Sequence, residues 1–238
     1  AIVDWGGYAE LALARENDVF RLPKGMAFHI AAGFPITYGT AHGALNWYGG
    51  LKQDEVLLVH GSAGGVGLAA VEVGKAMGAT VIATASSDEK LEIAGAHGAD
   101  HRLRSKHTEL KDSVRELTDG RGADVVFDPV GGDLFEASLR CTAWGGRVLI
   151  IGFASGKVPQ IPANLLLVKN ISAIGVYWGS NRKHAPKRLR AEFDELFKWF
   201  EDDRLQPRVS ERLSLEKAAR AMALLKERRS TGKIVLEP

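Results

Sequence analysis

The chain has 238 residues, 45% of them hydrophobic and 25% charged, with a net charge of +2. That length suits one large domain, or one domain plus part of another, and the composition is ordinary for a globular protein. The small net charge excludes a strong field for nucleic acid or a membrane surface, no apolar run reaches the roughly 18 residues that span a bilayer, and the single cysteine, Cys141, excludes an internal disulfide.

A lone cysteine fits a reducing, cytoplasmic compartment. The opening Ala1-Ile2-Val3-Asp4-Trp5-Gly6-Gly7 has no charged segment followed by an apolar one, so no signal peptide is read there. Lacking an initial Met, the chain reads as processed or truncated.

In chain order, residues 8–15 suggest a strand and Pro23-Lys24-Gly25 a turn. Residues 31–48, rich in Ala and small residues, read as a helix with Pro35 near its start and Gly49-Gly50 at its end. Short apolar runs then mark strands at 55–60, 80–85, 123–128, 146–151 and 171–176, with a weaker one at 101–103. Helices are read at 68–77, from Ser87 (a cap-type residue) to about His97-Gly98, at 107–117 and at 134–139. After Trp178 come amphipathic helices at 186–200 and 216–228 and a last strand at 232–236, a tail that reads as a separate packing unit. Strands alternating with helices predict an α/β fold: a Rossmann-type, doubly wound parallel sheet covered on both faces.

Between the first strand of that series and its helix stands Gly61-Ser62-Ala63-Gly64-Gly65-Val66-Gly67. Glycines here allow the backbone to approach a pyrophosphate, and the free N–H groups at the start of the helix favour its negative charge. Gly67 lets the helix sit close to the strand. Ala63, Gly64, Gly65 and Val66 are therefore candidate cofactor-binding residues.

The second strand ends Thr84-Ala85-Ser86-Ser87, without the carboxylate that usually holds the ribose hydroxyls of NAD. Hydroxyls, with Lys90 one turn into the next helix, suit a 2′-phosphate, and Arg104 and Lys106 lie after the following strand. Ser86 and Lys90 are assigned to that phosphate, and the pattern favours NADPH.

Several motifs in order carry a family resemblance: Gly6-Gly7-Tyr8-Ala9-Glu10, Pro35-Ile36-Thr37-Tyr38-Gly39-Thr40-Ala41, the glycine loop, Phe127-Asp128-Pro129-Val130-Gly131-Gly132, Gly152-Phe153-Ala154-Ser155-Gly156, Pro162-Ala163-Asn164-Leu165-Leu166-Leu167, Gly175-Val176-Tyr177-Trp178-Gly179 and Thr231-Gly232-Lys233. In these the chain resembles the medium-chain dehydrogenase/reductase superfamily, and within it the zinc-independent quinone oxidoreductase group.

The resemblance implies a GroES-like β-lobe and a Rossmann lobe holding NADPH. Residues 1–34 would be a remnant of the first lobe, which lacks its initial part, 35–178 the Rossmann domain, and 179–238 a segment returning to the first lobe. Hydride would pass to a quinone or an activated alkene (enone). Thr37, Thr40, Val130, Gly152 and Phe153 would lie at the nicotinamide, Lys233 would contact the cofactor, and Ser105 would stand where the family commonly has a Tyr near the 2′-phosphate. The family often forms homodimers in which the last Rossmann strand, here 171–176, pairs with its mate.

Zinc-dependent relatives carry a cysteine ligand where Ile36 stands, and none of the seven histidines forms a metal-type cluster with Cys141, so no metal is expected. No catalytic acid is assigned. Tyr38, Tyr177 and His42 are read as structural, and Phe153 and Trp178 as core or substrate-lining aromatics. The basic run Arg182-Lys183-His184, with Lys187, Arg188 and Arg190, reads as a solvated helix start. An NADPH-binding protein without useful turnover, and an alcohol dehydrogenase-like reductase, stand as the alternative functions.

Overall fold

The computed structural model describes residues 1–238. Residues 1–27 hold no regular element except a 3₁₀ turn at Glu16–Asp18. The strand expected at 8–15 does not form: no other strand lies beside it, and Leu11 and Leu13 are almost wholly exposed. A strand without a ladder partner leaves its backbone groups unpaired by protein.

Helix α1 is Phe28–His42, three residues earlier than expected, and it continues as a π-helical stretch, Gly43–Tyr48. Pro35 lies inside α1 and has no N–H to donate. Then follow β1 (Val56–Val59), α2 (Gly65–Ala76), β2 (Thr80–Ala85), α3 (Asp88–Ala96), β3 (His101–Arg104), α4 (His107–Glu116), β4 (Ala123–Asp128), α5 (Gly132–Cys141), β5 (Thr142–Ile150), α6 (Ala163–Lys169) and β6 (Ser172–Gly175). All six strands are parallel, in the order β3-β2-β1-β4-β5-β6. That order is the doubly wound Rossmann arrangement, as expected, and its topological switch lies between β1 and β4.

The strands alternate between two cores, as their period of two requires. Leu57, Val59, Val81, Ala83, Val125 and Phe127 face α1 and α2 and pack with Phe34, Tyr38, Ala69 and Val73. Val56, Leu58, Ile82, Val126 and Val148 face the other way, toward Leu110 and Val114 of α4 and Phe135 and Leu139 of α5. Burial on both faces explains why these strands read as unbroken apolar runs.

Beyond β6 come a short turn of helix α7 (Asn181–His184), α8 (Pro186–Glu201), β7 (Val209–Ser214), α9 (Ala218–Lys226) and β8 (Lys233–Glu237). The reading of this tail as a separate packing unit is corrected for α8. Leu189, Phe193, Leu196 and Trp199 on its apolar face join the same core as Phe34 and Tyr38 of α1. Helix α1 accepts neighbours at close range because it presents glycines: a Cβ on Gly39 would lie 2.3 Å from the Trp178 ring. Strands β7 and β8 form a separate parallel pair, and Gly232 just before β8 bridges back to Gly64. The sequence reading missed α6, which is under two turns long, and β7, whose run Val-Ser-Glu-Arg-Leu-Ser is too polar to stand out. No helix is long and apolar enough to cross a membrane.

Candidate functional site: a cleft at the carboxyl ends of the strands

The end of β1 runs through His60 into the glycine loop, and Gly64 caps α2. Helix α2 starts at Gly65, earlier than the apolar pattern indicated, so the amides of the loop itself open the helix. Close approach is enforced at Gly67, where a Cβ would lie 2.2 Å from the Gly61 carbonyl oxygen. At Gly65 a Cβ would meet Lys233 Cδ at 2.9 Å and Thr37 Cγ2 at 3.2 Å. Thr37, Gly65 and Lys233, far apart in sequence, thus line one small cavity of about 10 Å³, room for about a single water. The Gly232 amide donates to the Ala63 carbonyl at 2.8 Å and fixes this closure.

Lys233 has no acidic partner in the fold, and burial lowers its pKa. An unpaired, half-buried ammonium beside helix-opening amides suits a phosphate. The Thr37 hydroxyl turns back to its own helix, donating to Gly33 O at 2.8 Å, so its methyl faces the loop. Thr40 is half-buried one turn later and Ile36 is half-exposed.

A second group of residues gathers where β2 and β3 end. Ser87 caps α3 by accepting from the Lys90 amide, which sets Lys90 in the first turn. Ser86 is exposed, and Ser105 sits beside it because its amide donates to Ala85 O at 2.9 Å. Arg104 donates to the Ser86 carbonyl and to the Asp88 carboxylate, both at 2.7 Å. Lys106 instead pairs with Glu109 on the exposed face of α4. Lys90 Nζ donates to the Arg228 carbonyl at 2.7 Å, and the Arg228 guanidinium reaches the Ala154 carbonyl at 3.4 Å. The sequence reading missed Arg228. In sequence it is one of several cations at a helix end, and only the fold shows that its segment crosses the cleft.

The third group lies beyond β4 and β5. Asp128 Oδ1 accepts from the amides of Val130, at 2.7 Å, and Gly131, at 3.0 Å. Its other oxygen is buried without a partner. The loop carrying Gly152 and Phe153 is tied to this turn, since Ala154 N donates to Pro129 O and Ser155 N to Val130 O. Val130 Cγ2 would lie 3.3 Å from a Cβ on Gly61, so this loop borders the glycine loop across the β1–β4 switch. Phe153 remains 43% exposed on this loop.

Of the candidate proton donors, Tyr38 and His42 are engaged elsewhere. Tyr38 gives its hydroxyl proton to Glu72 at 2.7 Å, and burial beside that carboxylate pushes its pKa well up. His42 is buried between Glu192, at 3.3 Å, and Glu195, at 3.0 Å. Burial raises the Glu192 pKa, opposed by hydrogen bonds from His42 and from the Trp178 indole. Tyr177 is exposed and Trp178 is core. Cys141 is buried and its thiol is pushed up to about 12, so it is unreactive. In the basic run, Arg182 forks onto Asp18 and reaches Asp4, Arg188 stacks over Trp47 at 3.9 Å, and Arg190 lies over Phe20. No three His, Cys, Asp or Glu side chains converge as a metal-binding group.

The chain matches the family model described as zinc-binding dehydrogenase over residues 65–202. It is 42% identical to a quinone oxidoreductase-like protein 2 homolog of Nematostella vectensis over 97% of this chain and 64% of that protein. It therefore spans less than two thirds of that relative's length. A quinone oxidoreductase structure from Pseudomonas syringae superposes with a TM-score of 0.90 at 33% identity, covering 98% of this chain and 72% of that one. The quinone oxidoreductase of Thermus thermophilus, solved alone and with NADPH, gives 0.88 at 31% identity over 100% of this chain and 76% of that one. Sequence, strand order and the loop geometry agree, and the chain belongs to the quinone oxidoreductase group of the medium-chain dehydrogenase/reductase superfamily.

Proposed function

We propose that the chain carries the NADPH site of an oxidoreductase that delivers hydride to a quinone or an enone. The observation that carries this reading is the set of cations at the carboxyl ends of the strands: Lys233 at the glycine loop, and Lys90, Arg104 and Arg228 around the end of β2, which closes in Ala85-Ser86-Ser87 without the carboxylate that usually holds a free ribose 2′-hydroxyl, the nearby Asp88 being paired with Arg104. When bound, the cofactor supplies the hydride; the protein's part is to bind, orient and exclude water. Ala63, Gly64, Gly65 and Val66 would present amides to the pyrophosphate, with Lys233 beside them. Ser86, Lys90, Ser105 and Arg228 would surround the 2′-phosphate. Thr37, Thr40, Val130, Gly152 and Phe153 would border the nicotinamide, with Asp128 holding the Val130 turn. NADPH in solved relatives supports the choice of cofactor.

The reading is zinc-independent, with Ile36 at the usual ligand position. Strand β6 lies at the edge of the sheet, which supports a homodimer formed by pairing β6 with its mate. NADPH binding without turnover is the second reading. A fluorescence titration with NADPH and NADH tests the cofactor assignment. Tight NADPH binding that weakens in Lys90→Ala is the expected result, and assays of NADPH-dependent quinone and enone turnover separate the two readings. Failure to bind either dinucleotide sinks both.

A further inference from the structure

One carboxylate intrudes on the cationic rim of the cleft. Asp88, the first residue of α3, takes the two-donor edge of Arg104: Nε lies 2.7 Å from Oδ1, and Nη2 donates to Oδ2 at 2.7 Å. Nη1 donates to the Ser86 carbonyl at 2.7 Å. Three of the five guanidinium N–H groups are thereby engaged, including the fork that clasps a phosphate bidentately. Lys90 and Arg228, by contrast, are bonded only to carbonyls. Arg104 occupies the last position of β3, in register with Ala85, and its guanidinium lies beside Ser86.

We infer that Asp88 is a specificity-determining residue acting through Arg104: it occupies the guanidinium fork that a 2′-phosphate would otherwise take, and so limits the preference for NADPH over NADH. The inference rests on the proposed NADPH site. NADH carries no charge at this point and does not compete for the fork, so Asp88 affects the two dinucleotides unequally. The pair is exposed, with side chains 76% and 45% accessible, which makes it weak, sensitive to salt, and of little consequence to folding.

The test is a titration of the wild type, Asp88→Asn, Arg104→Gln and the double variant with NADPH, NADH, 2′,5′-ADP and 5′-AMP, at low salt and at physiological ionic strength. Asp88→Asn is expected to raise the NADPH-to-NADH affinity ratio about two- to fivefold, the value of releasing an exposed ion pair. The 2′,5′-ADP to 5′-AMP ratio should rise with it, more so at low salt. The gain should vanish in the Arg104→Gln background. A ratio that stays level or falls in Asp88→Asn overturns the inference, as does a gain that persists without Arg104. A wild type that binds neither dinucleotide instead overturns the proposed function on which the inference stands.

Discussion

Lys90 donates its side-chain proton to the main-chain carbonyl of Arg228, 138 residues further along the chain, at 2.7 Å. This contact joins the second βα turn of the sheet to the loop after α9. Arg228 has a left-handed φ of 57° there, and its guanidinium extends to the Ala154 carbonyl on the opposite rim. One residue thus spans both sides of the proposed cofactor cleft.

Replacing either cation should therefore act on the phosphorylated cofactor alone. Lys90→Ala and Arg228→Ala are each expected to weaken NADPH binding by about tenfold, the value of one charge-assisted hydrogen bond, with NADH binding nearly unchanged. Because Lys90 contacts the Arg228 carbonyl, which Arg228→Ala retains, the two losses should nearly add. Fluorescence titration reads both, and an equal loss of NADH affinity would mean the residues hold the loop rather than the phosphate.

The sheet was legible in the sequence because its strands are buried on both faces and flanked by glycine, as at Val56–Val59 before Gly61. The glycine loop was legible for the same reason. The return of the C-terminal segment and the role of Lys233 were implied only by the family resemblance; composition and periodicity could not show them. Arg208, Gly232 and Lys233 reach the loop only through the β7–β8 pair and the contact of Gly232 with Ala63, and no periodicity encodes such a contact. The strand wrongly expected at 8–15 has the opposite cause: the expectation rested only on a mixture of apolar and polar residues, whereas strand formation depends on a partner supplied by tertiary structure.

Gly67 is the tightest contact in the loop. Gly67→Ala would place a methyl 2.2 Å from a backbone oxygen, which cannot rotate aside as a side chain would. The loop or α2 must shift, at about 2 kcal/mol, typical of overpacking at a site that yields only by moving backbone. For a chain of this size that lowers the melting temperature by roughly 4–8 °C. Dinucleotide binding should fall much further than stability, because the amides of α2 move with the helix. Retention of wild-type NADPH affinity in a variant with lowered melting temperature would show that the loop amides are not the phosphate ligands.

His60 gives the fold a defined acid sensitivity. It is fully buried, with Nε2 2.6 Å from Ser138 Oγ and Nδ1 2.9 Å from Thr84 Oγ1. Ser138 spends its single proton on Leu134 O, at 2.8 Å, so Nε2 carries the imidazole proton and Thr84 donates to Nδ1. The imidazole is therefore neutral, and burial lowers its pKa from 6.5, with nearby Asp128 opposing. A base depressed in the folded state binds fewer protons than the unfolded chain as pH falls below 6.5. Its stabilisation is complete above that value and is lost toward the depressed folded pKa, with a slope of up to about 1.4 kcal/mol per pH unit. Urea denaturation between pH 7.5 and 5 should show this loss, and His60→Gln should flatten it while lowering stability at pH 7.5. An unchanged slope in the variant would assign the acid sensitivity to another group.

Glu72 ties together four parts of the chain from inside α2. Its carboxylate accepts from the Tyr38 hydroxyl at 2.7 Å and the Gln206 amide at 2.9 Å, and it pairs with His97 at the end of α3. Every one of these donors loses its partner together if the carboxylate goes. Glu72→Leu should cost about 3–5 kcal/mol, since a removed partner leaves buried polar groups unsatisfied. Glu72→Gln can keep the oxygen that accepts from both Tyr38 and Gln206, but it replaces the oxygen facing His97 with an NH2 donor and removes the charge, so it should cost about half as much. The order of the two variants in a urea titration distinguishes a hydrogen-bonding hub from simple packing: if Leu is tolerated better than Gln, the carboxylate's bonds are not what holds α1, α2 and α3 in place.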